Sequence, residues 1–451
     1  METKDLNKKL KQIAQTAKEQ FNINMFFVGG CVRDELLNVP CDDIDIAVEN
    51  GTFEQLKSVI SQFTSDFTEE PVGNTFAVIK ANIDGFELDF ALCRTERSSG
   101  SLHQDFDISL NATIEEDLAR RDIRINAIAK NVMTGDILDP FNGIGNLLDK
   151  IADYCTLAFA EDPLRVLRVA RFIARFDLTP TQRLVDLCRT LSPKDISAER
   201  FGGELWKMAK QAKTPSKFFN FLRTVGWLSQ VFPELENLFG IPQSAKWHPE
   251  GCAYTHTMHC IDATTDPFYR MVLMCHDLGK ATTTALNKRG DWSAYGHEFA
   301  SVGLSKKMLG RVKLESAEGF GGSKSIDRLL ILVEKHMVGH TANMKDHKLI
   351  KLVRDLHKLG LDFQDLVNVC IADSSGRPPL PTGITPTLIK LQERVDAFEE
   401  RGIFTPIVTG KKLLEVGVKQ GVEMGKLIQK AQGMQDTGKL TEENWKILLK
   451  V

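Results

Sequence analysis

Short alternating runs of apolar and polar residues fill the first hundred positions, and a period of two predicts strands. Residues 24–30 and 43–49 read as strands around a turn and the short helical run "RDELL". Residues 76–83 (FAVIKANI) and 86–93 (FELDFALC) read as an antiparallel pair across Asp84-Gly85. The opening "METKDLNKKLKQIAQTAKEQ" has the spacing of an amphipathic helix. The segment 95–106, "TERSSGSLHQDF", is polar with Ser and Gly and predicts a mobile loop. From about residue 114 onward the apolar spacing turns helical and stays so. The pattern is that of a small α+β head followed by a long all-α body. Breaks are expected near 150, near 240–250 ("FGIPQSAKWHPEG") and near 377–387 ("RPPLPTGITPT").

Composition narrows this picture little. At 451 residues the chain has room for two to four domains of ordinary size. No stretch approaches the roughly 18 uninterrupted apolar residues of a membrane span, and the first residues lack the apolar core of a signal peptide. Nine cysteines without a CxxC pair predict reduced thiols and a cytoplasmic protein. A net charge of −3 does not advertise a nucleic-acid binder, although residues 401–451 hold nine Lys/Arg against five Asp/Glu.

Candidate chemistry begins in "VGGCVRDELLNVPCDDIDIAV". On a strand Asp43 and Asp45 project to the same side. Two carboxylates so close repel, and each raises the other's pKa, unless a divalent cation is shared between them. Mg²⁺ suits the task, because it takes one or two carboxylates together with substrate phosphates. Asp89 in "FELDFAL" is placed to supply a third carboxylate. A bare Asp-x-Asp is also compatible with a solvated strand face. The preceding Gly29-Gly30 shifts the balance, since glycines let backbone N–H groups approach a phosphate and a helix start follows. Arg33 adds a fork of donors. Together these features predict metal-assisted phosphoryl or nucleotidyl transfer.

Two arginine-rich stretches follow. In "EEDLARRDIRINAIA" (115–129), Arg120, Arg121, Asp122, Arg124 and Asn126 crowd the start of what reads as an apolar helix. In "EDPLRVLRVARFIARF" (161–176), Pro163 sits in the first turn of a helix, and Arg165, Arg168, Arg171 and Arg175 fall within an arc of roughly 120°. Such a stripe is either a surface ion-pair network or a track for an anion. In the second reading Asp162 accepts from an exocyclic amino group and Arg165 donates to the base edge.

The motifs "GGCVRDELL", "DDIDIA", "RRDIRINAIA", "DPFNGIGNLLDK", "EDPLRVLRVARF" and "ERFGGELWKMA" occur in the order and spacing of class II tRNA nucleotidyltransferases. The chain resembles these CCA-adding enzymes and their relatives, the bacterial poly(A) polymerases. The resemblance implies a polymerase β-like nucleotidyltransferase head at 1–150 and an all-α neck and body at 151–245. It also implies nucleotide contacts at Gly30, Arg33, Arg121, Asp162, Arg165, Arg168 and Arg171, Mg²⁺ on Asp43 and Asp45, and tRNA, CTP and ATP as partners. Two departures stand out: Asn142-Gly143 where the family has two glycines, and Asn146 where it has an acid.

A second constellation lies in "HTMHCID" (256–262), "CHDLGK" (275–280), "YGHEFA" (295–300), "VEKHMVGH" (333–340) and "IADSSGR" (371–377). A buried His-Asp pair costs several kcal/mol unless it is paired or ligates a metal. His256, His276, Asp277 and Asp373 form a mixed nitrogen and oxygen set for a divalent ion. His297 and His336 complete a second site or hold a phosphate. His248, His259, His340 and His357 read as bystanders. This stretch resembles an HD-type phosphohydrolase domain, which implies an all-α domain at 246–380 and a helical tail at 381–451 in contact with tRNA. It further implies phosphatase, 2′-nucleotidase and 2′,3′-cyclic phosphodiesterase activity with Mg²⁺, Mn²⁺, Ni²⁺ or Co²⁺. Two rival readings remain at this point. One is a poly(A) polymerase or an enzyme adding only CC or only A; the other is an HD phosphohydrolase with a non-catalytic RNA-binding head.

Overall fold

The computed structural model describes residues 3–41, 44–72, 75–98, 106–109, 112–341 and 343–449. The chain divides into two compact units, Met1–Val231 and Phe232–Val451.

The first unit opens with α1 (Thr3–Phe21), β1 (Asn24–Val28), α2 (Gly30–Leu36), β2 (Ile44–Glu49) and α3 (Phe53–Ile60). Then come β3 (Phe67–Val72), β4 (Thr75–Ile83), β5 (Phe86–Leu92), β6 (Thr95–Ser98), β7 (Phe106–Ser109), α4 (Ile114–Ala119), β8 (Ala129–Asn131) and β9 (Ile137–Leu138). Seven strands form one sheet in the order β3-β4-β5-β2-β1-β8-β9. The β2–β5 pair is parallel and the other pairings are antiparallel. Strand alternation sends Ile46 and Val48 to one face, where they pack with Leu88 and Phe90 of β5, Leu10 and Ile13 of α1, and Leu56 and Val59 of α3. Asp45 and Ala47 face the other way. Ala47 packs there with Val28, Leu118 and Ala129.

Two expectations are corrected here. Residues 95–106 do not form a simple loop: β6 and β7 pair as an antiparallel hairpin, while 99–105 lie outside the described residues. Residues 115–129 are not one helix. After α4 the chain makes a single 3₁₀ turn at Arg124–Asn126 and enters β8, which pairs with the open edge of β1. The run Ile123, Ile125, Ala127 to Ala129 is fully buried, and from Ala129 onward the backbone is satisfied by pairing with β1. The helix α4 stops there although its start is well made, with a capping box between Thr113 and Glu116.

The unit continues with α5 (Gly143–Leu148), a short parallel pair of β10 (Ile151–Ala152) with β11 (Thr179–Pro180), and α6 (Leu164–Phe176) between them. It ends in α7 (Gln182–Thr190), α8 (Ala198–Gln211), α9 (Ser216–Thr224) and α10 (Leu228–Val231). Helix α6 is buried along most of its length and packs on α8 and α9. The departure at Asn142 fits its conformation: φ is +56°, a left-handed value that Asn tolerates. Gly143 allows no side chain, since a Cβ would lie 2.3 Å from the Arg124 carbonyl oxygen.

The second unit begins with α11 (Pro233–Glu236), α12 (Ala253–Asp262), α13 (Pro267–His276) and α14 (Lys280–Thr283). A two-stranded hairpin, β12 (Ala285–Leu286) with β13 (Trp292–Ser293), interrupts the expected all-α character. The unit continues with α15 (His297–Arg311), α16 (Gly322–Lys335), α17 (Asp346–Lys358), α18 (Phe363–Ser375), α19 (Pro386–Glu400), α20 (Gly410–Glu415) and α21 (Val422–Asp436). Helix α13 is held by α12, α15, α16 and α18. Its start is capped by Asp266, which accepts from the Phe268 and Tyr269 amides at 2.8 and 2.9 Å. Its residues from Arg270 to His276 are buried without a break, so its C-terminal His276-Asp277 is delivered into the interior. Among the described residues no helix is long and apolar enough to cross a membrane, and the nine cysteines are free.

Candidate functional site

A cleft of about 850 Å³ opens in the first unit between the Asp45 face of the sheet and the arginine side of α6. Asp45 stands in register with Asp89 on the neighbouring parallel strand, which sets their backbones about 4.8 Å apart. Asp45 lines the cleft; Asp89 is not among the described residues that do so. Asp43 lies outside the described residues. Of the two glycines, Gly29 is the one the geometry requires. Its φ is +71°, and a Cβ there would come within 2.8 Å of Arg121 Nη1 and 3.6 Å of Asp45 Oδ2. A Cβ on Gly30, the glycine singled out from sequence, would meet only Arg33 Nη2 at an ordinary 3.5 Å. The left-handed φ is what favours glycine here, and any Cβ would also force the Arg121 guanidinium to shift. Arg121 is tied to Asp117 Oδ2 at 3.2 Å and to the Asn126 carbonyl at 3.3 Å. Its Nε is buried and has no hydrogen-bond partner among the described residues. The donor set and the narrow gap fit a divalent cation with a phosphate.

The arginines are interleaved with acids and do not stand bare. Arg33 is 3% exposed, bonds Asp34 through Nε at 2.8 Å, also bonds Asn126, and stacks 4.5 Å over Phe176. It braces α2 against the 3₁₀ turn and α6. Arg168 bonds Asp122 at 2.7 Å, Arg171 bonds Glu204 at 2.7 Å, and Arg175 reaches Asp34 at 3.5 Å. Burial would raise the Asp122 pKa, but the Arg168 charge and the Asn126 amide overcome it and hold the carboxyl below its usual range. Asp162 Oδ1 accepts from the Leu164 amide at 3.0 Å, and Oδ2 accepts from Arg200 at 2.7 Å. Arg165 donates to the Ala158 carbonyl. Arg121, Asp162, Arg165, Arg168 and Arg171 all line the cleft together with Asp45. Arg200 was missed from sequence, although it lies in "ERFGGELWKMA"; its partner is 38 positions away, and no local spacing announces that.

The second unit gathers the histidines around its own cleft of about 640 Å³. Each of His276, His297 and His336 sets Nδ1 against the carbonyl three residues earlier, Leu273, Ala294 and Val333, at 2.6, 2.7 and 2.7 Å. His256 sets Nδ1 against the Glu250 carboxylate at 2.9 Å. All four Nε2 atoms therefore face inward. His256 Nε2 is 2.9 Å from Asp373 Oδ1, and His297 Nε2 is 3.1 Å from both Asp277 Oδ1 and His336 Nε2. His276 Nε2 is buried and has no hydrogen-bond partner among the described residues. Four buried imidazoles with their outer nitrogens tied back and their inner ones converging on two carboxylates fit a divalent ion. All six residues named from sequence come together. Two that read as bystanders also belong here: His248 bonds Glu250 at 2.9 Å, and His340 lines the cleft. His259 and His357 are not among the cleft-lining residues.

Comparisons with known proteins point one way. A model of the Poly A polymerase head domain matches residues 25–152. A Multifunctional CCA protein of Methylobacillus flagellatus is 34% identical over 372 residues, covering 79% of this chain and 84% of the relative. One from Mannheimia succiniciproducens is 36% identical over 378 residues, covering 78% and 84%. Among solved structures, the Bacillus stearothermophilus CCA-adding enzyme in complex with CTP superposes with a TM-score of 0.67 at 20% identity, over 100% of this chain and 98% of that one. The Thermotoga maritima CCA-adding enzyme complexed with tRNA gives 0.57 at 18% identity, over 100% and 96%. These two show a shared fold, and the sequence relatives show more: the chain belongs to the family of multifunctional CCA proteins.

Proposed function

We propose that this chain adds C, C and A to the 3′ end of tRNA from CTP and ATP, without a nucleic-acid template and with release of pyrophosphate. One observation carries the reading: the Asp45 carboxylate, the Gly29 backbone, Arg121 and the Asp162–Arg165 pair all border one cleft. Asp43 and Asp45 would hold Mg²⁺, with Asp89 as the adjacent carboxylate, and the ion would supply charge to neutralise the triphosphate and acidify the attacking hydroxyl. The Gly29 turn and Arg121 bind the phosphates and fix the α-phosphate for in-line attack by the tRNA 3′-hydroxyl. Asp162 and Arg165 pair with the base. Each carboxylate oxygen of Asp162 keeps a second lone pair beyond its present bond, and an exocyclic amino group of C or A takes one. Arg33, Arg168 and Arg171 position this frame through their bonds to Asp34, Asp122 and Glu204.

The test is to incubate the protein with tRNA lacking its last three nucleotides, Mg²⁺, CTP and ATP, and to read the 3′ end. CCA is expected. A run of A with ATP alone would select the poly(A) polymerase reading, and a stop after CC or a need for preformed CC the partial one. Asp45→Ala is expected to lower extension about 100- to 1,000-fold, the range expected for a group central to transition-state charge, with an unchanged circular dichroism spectrum. Undiminished extension would sink the metal role.

The converging Nε2 atoms favour a second reading for the second unit, an HD-type phosphohydrolase. In it His256, His276, Asp277 and Asp373, with His297 and His336, hold a divalent metal. In this reading the chain carries a head at 1–150, neck and body at 151–245, an HD domain at 246–380 and a tRNA-contacting tail at 381–451. Hydrolysis of a 2′,3′-cyclic nucleotide with added Mg²⁺, Mn²⁺, Ni²⁺ or Co²⁺, lost in Asp277→Ala, tests it.

A further inference from the structure

We propose that Cys260 is a ligand of the histidine centre and makes it a seat for a thiophilic divalent ion, Zn²⁺ ahead of Mg²⁺ or Mn²⁺. The proposal rests on the reading of this unit as a metal centre, and not on what the centre hydrolyses. Cys260 follows His256 by four residues on α12, so both side chains project to the same side of the helix. Both are fully buried, as is His276. His256, Cys260, His276 and Asp373 each place one ligand atom within 4.8 Å of the other three. Cys260 Sγ lies 3.4 Å from His256 Nε2 and 4.0 Å from Asp373 Oδ1. His276 Nε2 lies 3.7 Å from the same Asp373 oxygen. Bonds of about 2.0–2.3 Å to a tetrahedral ion set neighbouring ligand atoms roughly 3.3–3.6 Å apart, so small shifts close the four atoms on one ion. His276 Nε2 points to the same conclusion independently: it is buried within this group and makes no hydrogen bond among the described residues. The chain also keeps room for the sulfur. Gly376 ends α18 at φ −73°, a value any residue adopts, yet a Cβ there would collide with Cys260 Sγ. The neighbouring group of Asp277, His297 and His336 brings no sulfur, so a thiolate signal reports the first group alone. Thiolate and imidazole together favour Zn²⁺, whereas Mg²⁺ and Mn²⁺ favour oxygen. On binding, the Cys260 thiol gives its proton to solvent and a sulfur lone pair to the metal.

Titration of the full chain, first stripped of metal by a chelator, with Co²⁺ tests this by near-ultraviolet absorption. A sulfur-to-cobalt charge-transfer band is expected, and the unaltered chain alone supplies this readout. Cys260→Ser and Cys260→Ala should each lose the band. Cys370→Ser should keep it, because Cys370 lines the same cleft but points its thiol at the His336 carbonyl, 3.0 Å away. Competition with a coloured chelator should show Zn²⁺ held at least about 10- to 100-fold more weakly by Cys260→Ser, the loss that follows even when only an outer partner of a ligand is removed. Mn²⁺ affinity should change little, and its retention shows that the variant is folded. Cobalt bound without the band, a band that survives in both Cys260 variants, or Zn²⁺ affinity unchanged in both would overturn the proposal even where phosphate esters are hydrolysed. The expected band without hydrolysis of a 2′,3′-cyclic nucleotide under any metal would uphold it and overturn the phosphohydrolase reading instead. Cobalt that does not bind at all would overturn both.

Discussion

Asp122 is buried at 5% exposure and shared between Arg168 and Asn126. Its pKa in the folded chain lies below the unfolded value of about 3.9. Its stabilisation is therefore complete above about pH 4 and is lost as acid carries the pH down through the folded value. Asp122→Asn should cost about 1–3 kcal/mol at neutral pH, because a buried carboxylate gives up its charge-assisted bond to the partly exposed Arg168 guanidinium. The variant should also lose less further stability than the parent between pH 5 and pH 3, read from urea midpoints. Gly29 gives a second test at this scale. An alanine would take on a left-handed φ and crowd Arg121; kcat/KM for CTP should fall on the order of 100-fold, as for a 1 Å misplacement, in steady-state assays. Most site residues were legible because their chemistry is written in local motifs. The priority of Gly29 over Gly30, and the parts of Arg200 and Glu250, went unread for a common reason. A φ angle, a carboxylate 38 positions away and an imidazole held from behind are properties of the folded chain, and residue type alone does not reveal them.

At the scale of elements, α6 links packing to chemistry. Its arginine face borders the cleft, and Leu167, at 1% exposure, is buried on the flank of that face. Leu167→Ala should cost about 2–5 kcal/mol by calorimetry and should raise the KM for both nucleotides together, since the helix carries Arg165, Arg168 and Arg171 as one body. The helix itself was legible, because thirteen residues of regular amphipathic spacing leave little room for another reading. β8 was not: three residues, Ala129–Asn131, carry too little pattern to outweigh a preceding helical run, and only the open edge of β1 decides their state. The β6–β7 hairpin was hidden in the same way, by polar residues whose pairing is set by the backbone.

At the scale of the whole molecule, two compact units each hold a cleft of their own. A ligand that binds only the native state stabilises it by about 2.7 kcal/mol at a concentration 100-fold above its Kd. Adding Co²⁺ should therefore slow amide exchange in α12, α13 and α18 and leave α3 and β4 unchanged; equal protection everywhere would remove the histidine centre as the ion's seat. The overall order, sheet first and helices after, was legible because strand and helix periods differ so plainly. The division at Val231–Phe232 was not, since helix follows helix there without a compositional seam.

The backward tether of the imidazoles has one more consequence. With His276, His297 and His336 each leashed to a carbonyl of its own chain turn, and His256 to Glu250, ring orientation is settled while the chain folds. An arriving cation meets a finished socket and surrenders only its own hydration, so exchanging one ion for another should leave the surrounding helices where they were.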